Sequence, residues 1–380
     1  MHYRIVLAHK DLDGFAAELE DAISDAAKDL GGVADSLEVS SGLSDEGIPQ
    51  VVAYLASRAG CDDIEVMNVI DAALAREVAI LPVAREEGNG GVADTLPKRL
   101  QRLNAVSWQD NGVGVATSLL RMLGLAEAER KVFISYRQSE TRELATQMHT
   151  ELVQRGFDVF LDRFSVAPGV DFQRRLEEDL GDKAFVLLLE SDGLEGSKWV
   201  RHEIAYAHSR RIEILALTLP DCSKRVQAID DAFRFPLAES DVSNEGTLLP
   251  DVLGSALDAV EMAHARALRR RREQILGSVT EKLELEGCEC EPADDWCVLA
   301  TKSGNGASGL FWVTPRRPAT TDFFRLSQQH DRLAGPESLA NLKGAVVHDA
   351  GRLAEDHGEL MDWLSHLSGS ELATIGTCSL

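Results

Sequence analysis

The stretch Glu195–Arg211, "EGSKWVRHEIAYAHSRR", sets Trp199 and Glu203 four residues apart in a helical pattern. That spacing puts an aromatic plate and a carboxylate on one face of a helix. A carboxylate so placed can hold sugar hydroxyls and stabilise a developing positive charge, while an aromatic such as Trp199 or Phe164 can hold a flat base. The alternative is structural. Trp199 is then a half-buried packing residue, and Glu203 a solvated carboxylate paired with Arg201, Arg210 or its own helix N-terminus. His202 points to another face of the helix and is not assigned as a base.

These residues need a scaffold, and the surrounding pattern supplies one. "KVFISY" (Lys131–Tyr136), "FDVFLD" (Phe157–Asp162), "KAFVLLLES" and "IEILALTLP" read as apolar strands alternating with helices, the first helix stopped by Gly156. Continuous apolar strands in that rhythm imply a parallel sheet covered on both faces, in a flavodoxin-like order. Ligands of such sheets sit beyond the carboxyl ends of the strands. Glu203 follows the strand ending at Ser191, on that side, and Arg137 follows the first strand, placed to meet a pyrophosphate. Asp162 either lines the pocket or caps its loop, and Ser135 and Tyr136 are as readily structural as ligand-contacting.

The chain has 380 residues, 44% hydrophobic and 27% charged, with a net charge of -24. This is globular composition with material for two or three cores. The acidic total repels nucleic-acid backbones, so direct nucleic-acid binding is not expected. No signal peptide and no apolar run near membrane-spanning length is read, and cytoplasmic placement with reduced thiols is expected. Cys288, Cys290 and Cys297 form C-x-C-x6-C, a spacing unlike the common structural zinc sites, and no metal is expected. The basic run "RALRRRRE" (Arg266–Glu273) reads as a solvated helix end or an intramolecular partner for acidic surface.

Three motifs stand in order: "VFISYR", "GFDVFLDRFSVAPGVDF" and "FVLLLESDGLEGSKWVRHEI". Together they resemble a TIR (Toll/interleukin-1 receptor) domain of the NAD-cleaving, bacterial anti-phage-defence type, over about Lys131 to Leu219. The resemblance implies an NAD+ glycohydrolase, with an ADP-ribosyl cyclase as the variant outcome. It takes NAD+ as substrate, needs no cofactor, and is activated by self-association and an unidentified activating partner. The nicotinamide ring is already cationic in NAD+ and leaves as neutral nicotinamide without a general acid, so a carboxylate stabilising the ribosyl cation is the main requirement. By resemblance Glu203 is that carboxylate, and Arg137, Phe164, Trp199, Asp162 and Tyr136 bind substrate. The loop "RFSVAPGVDF" (Arg163–Phe172) matches the family's BB loop, which packs head-to-tail on a neighbouring domain. The alternative is a non-catalytic adaptor assembling through TIR–TIR contacts.

The expected organisation is a degenerate TIR-like α/β domain over residues 1–127, the TIR domain over 128–272, and a small α+β domain over 278–380. In the first block "IVLAHK" aligns with "FISYR", so that Lys10 replaces Arg137, Cys61 replaces Trp199 and Glu65 keeps the carboxylate. Residues 33–49 show no counterpart of the second strand and its loop. The third block vaguely resembles a restriction-endonuclease core without the E-x-K that would hold a metal ion, which points to a regulatory or oligomerisation role. His348, His357 and His366 are too loosely arranged for a metal site.

Overall fold

The structure is a computed structural model that describes residues 3–28, 36–45, 48–85, 95–101, 103, 105–108, 112–125, 130–161, 180, 182–183, 185–194, 198–220, 222–294, 296–302, 307–333, 342–349, 353 and 355–380. The described residues hold three five-stranded sheets. The chain divides into two compact units: residues 1–130, 154–156 and 250–265, and the remainder.

In the first unit, β1 (Tyr3–Ala8), β2 (Leu37–Ser40), β3 (Gln50–Leu55), β4 (Ala79–Ala84) and β5 (Val106–Ser107) form a parallel sheet in the order β2-β1-β3-β4-β5. Helices α1 (Asp13–Lys28) and α4 (Val113–Met122) cover one face through Leu19, Ile23 and Leu119. Between them in sequence, α2 (Arg58–Asp62) leads into α3 (Ile64–Ala75), which covers the other face through Val66 and Ile70. Burying these aliphatic faces is the main driving force for the layer arrangement. A buried polar trio ties β1 to the segment 250–265 of the same unit. Tyr3 Oη donates to Glu261 Oε2 at 2.5 Å, and Arg130 donates to Glu261 Oε1 at 2.9 Å.

Two expectations for this block are corrected. Residues 33–49 do hold a second strand, β2, whose half-buried edge position gives it no continuous apolar run. Glu65 does not keep the place of Glu203: it is exposed in the first turn of α3, where the Asp63 carboxylate caps the helix and Lys10 lies 3.1 Å from Asp63.

In the second unit, β6 (Lys131–Ser135), α5 (Gln138–Gln154), β7 (Asp158–Leu161), β8 (Phe185–Glu190), α6 (Lys198–Ser209), β9 (Glu213–Thr218) and β10 (Arg234–Pro236) build a parallel sheet in the order β7-β6-β8-β9-β10. Strand by strand, that is the order of the first sheet, and it is flavodoxin-like. Every residue of β8 is buried, as a strand covered on both faces requires.

The 36-residue α7 (Pro250–Leu285) precedes the third sheet, made of β11 (Cys288–Asp294), β12 (Cys297–Lys302), β13 (Ser308–Thr314), β14 (Lys343–His348) and β15 (Ser370–Thr374). Its first three strands pair antiparallel and the last two join in parallel, with α8 (Thr320–Leu333) and α9 (Glu355–Ser368) as crossovers. The stretch "CECEPAD" is strand β11. The basic run is taken up inside this unit. Arg266 and Arg270 lie 2.5 and 3.5 Å from Glu213, and Arg271 lies 2.8 Å from Asp349. Arg272 stands over the Trp296 ring at 5.5 Å.

Candidate functional site

Helix α6 is anchored by Val200, Ile204 and Ala207, which recur along one face and pack into a core with Phe133 of β6 and Val186 and Leu188 of β8. Glu203 directly precedes Ile204, on the packed side of α6, and is only 6% exposed. It is therefore not a solvated carboxylate. Its Oε2 accepts from the hydroxyl of Ser135, the last residue of β6, itself 1% exposed. A buried carboxylate thus sits at the carboxyl end of β6, met there by a hydroxyl.

Tyr136 and Arg137 continue from that strand end. Tyr136 is buried, whereas the Arg137 side chain is 39% exposed. Arg137 lies 3.0 Å from Glu140 and donates to the carbonyl of Gly193, in the turn after β8. The Leu194 N–H donates to Ser191 O at 3.0 Å and closes that turn. Glu203, Ser135, Tyr136 and Arg137 are accordingly brought to one end of the sheet. Trp199 lies one turn before Glu203 in the backbone of α6, and its side chain is outside the described residues. Asp162, Phe164 and the loop Arg163–Phe172 also lie outside them.

Residues 132–242 match the family model of the TIR domain. The chain carries a TIR domain. The match reaches further than the three motifs, through β10 and into the segment before α7. Much of that extension is held by Glu190, a residue the sequence reading passed over. Glu190 ends β8 of the TIR sheet with its side chain fully buried. It accepts from Thr218 Oγ1 and Val226 N, each at 2.7 Å, and from Arg234 Nε at 3.1 Å. Burial alone would raise its pKa, but the bonds from Arg234, Thr218 and Val226 hold the carboxyl below its ordinary value. Glutamate at the end of an otherwise apolar strand was the signal available. Its full set of partners marks Glu190 as a clamp on residues 226–234 of the TIR domain.

The cysteine trio falls on β11 and β12 of the third sheet, and none of the six cysteines is in a disulfide. Burial pushes the Cys290 thiol up to about 11, away from the reactive thiolate form. Among the described residues, no cluster of three His, Cys, Asp or Glu side chains is placed to hold a metal ion. No helix among them is long and apolar enough to cross a membrane.

Proposed function

We propose that the TIR domain cleaves the nicotinamide–ribose bond of NAD+, with Glu203 as the catalytic carboxylate. The observation that carries this reading is the burial of Glu203 at the carboxyl end of β6, against Ser135. A carboxylate withdrawn from water stabilises a ribosyl cation more strongly than a solvated one, because the surrounding dielectric is lower. Capture of that cation by water gives ADP-ribose, and capture by an internal base gives a cyclic product. Arg137 binds the pyrophosphate, and Trp199, Phe164, Asp162 and Tyr136 complete the substrate contacts.

In this reading residues 128–272 are the catalytic domain, activated by self-association through TIR contacts and by a further partner. Residues 1–127 and 278–380 regulate it, in a cytoplasmic effector of bacterial anti-phage defence. The shared strand order of the first two sheets supports a TIR-like origin for the N-terminal block. The exposed position of Glu65 supports its being inactive.

The deciding experiment is NAD+ loss with product chromatography on the full chain, wild type against Glu203→Ala, at low concentration and under crowding. Turnover that disappears in the variant supports the hydrolase, and the product peak separates hydrolase from cyclase. No turnover while light scattering shows assembly leaves the TIR domain as an adaptor.

A further inference from the structure

The strand order of the TIR sheet reverses between β6 and β8, and doubly wound sheets bind ligands at such a point. Two donors from the loops at that point converge on one carboxylate. Arg137 Nη1 lies 3.0 Å from Glu140 Oε1, and the Gly193 N–H donates to Glu140 Oε2 at 3.1 Å. Arg137 also donates to the Gly193 carbonyl. A Cβ on Gly193 would overlap both the Arg137 guanidinium and the Glu140 carboxylate, so glycine is what lets them close on this backbone.

A guanidinium beside a backbone N–H is a donor set suited to phosphate oxygens. Here the two oxygens of one carboxylate take one donor each. We infer that Arg137 and Gly193 form a phosphate cradle and that Glu140 is its internal competitor. The carboxylate fills the cradle in the free protein and leaves when a phosphate enters. This rests on the NAD+ reading for the identity of the phosphate, the pyrophosphate of a dinucleotide. Glu140 and Arg137 are 34% and 39% exposed in their side chains, and so partly solvated a pair is held weakly. An incoming phosphate, with more charge and more acceptor oxygens, displaces it.

The test is calorimetric binding of ADP-ribose and of inorganic pyrophosphate to the full chain. Glu140→Gln is expected to tighten both by about twofold to fivefold, the size of one solvated ion pair. Glu143→Gln removes the same charge from an exposed position on α5 and is expected to leave both affinities unchanged. Unchanged or weaker binding in Glu140→Gln overturns the inference. An equal gain in Glu143→Gln, or no binding of either probe to any form, overturns it as well. NAD+ turnover is read separately. Tightened binding without Glu203-dependent turnover leaves the cradle standing and removes the hydrolase. Turnover with unchanged affinities in Glu140→Gln overturns the inference and leaves the hydrolase standing.

Discussion

The hydroxyl of Ser135, at the end of β6, donates to the buried carboxylate of Glu203 on α6. Strand end and helix are thereby joined through the group that the proposed chemistry needs. Ser135→Ala takes a donor from a largely buried carboxylate. The expected cost is about 1–3 kcal/mol, read from the denaturant midpoint. In the hydrolase reading NAD+ turnover falls by roughly tenfold or more. Ser135→Thr, which keeps the hydroxyl, recovers part of both. An alanine variant with wild-type turnover removes Ser135 from any part in positioning Glu203.

Glu190 and Arg234 form a buried pair whose members have unequal prospects when separated. Arg234→Met strands a buried carboxylate and is expected to cost about 3–5 kcal/mol. Adding Glu190→Leu should recover much of that loss, because the uncompensated charge goes with it. Chemical denaturation of the two single variants and the double variant measures the coupling. Strict additivity would show that the pair is not energetically linked.

The Tyr3–Glu261–Arg130 group makes the same argument in the first unit. Burial, with the charge of Glu261, holds the Tyr3 phenol well above its ordinary range, so it stays a neutral donor. Tyr3→Phe is expected to cost about 1–2 kcal/mol and Arg130→Met about 3–5 kcal/mol, the second leaving Glu261 unpaired in part. Equal losses in the two variants would contradict the ranking.

His348 ends β14 and is buried, and burial lowers its pKa to about 4. Asp349 opposes that shift and His357 adds to it. The unfolded chain therefore binds the extra proton first as pH falls. The contribution of His348 is full above about pH 6.5 and is lost on acidification toward pH 4, by up to about 3 kcal/mol. Stability measured across that window should fall less steeply in His348→Gln than in the wild type. Parallel curves would show that His348 does not carry the dependence.

The central strands were legible because they are long and apolar: "FVLLLE" became β8 with every residue buried. The edge strands were not. β2 is four residues long and half-buried, β10 is "RFP", and β11 alternates cysteine with glutamate before a proline. Their pairing is set by the neighbouring strand more than by their own pattern. The W-x3-E spacing located Glu203, but a glutamate reads the same whether solvated or buried. Only the packing of Val200, Ile204 and Ala207 turns it inward. The partners of Glu190 lie 28 to 44 residues further along the chain, beyond the reach of local pattern.

The arginines of α7 have a colloidal consequence. Arg266, Arg270 and Arg271 are paired with carboxylates of their own chain, which offsets their charge toward a neighbour. Each copy carries a net charge of -24, and two copies meet as like-charged bodies. Salt shortens the range of that repulsion to about 8 Å at physiological ionic strength. Association of copies is then expected to strengthen as salt is added, the reverse of what complementary charged faces would give.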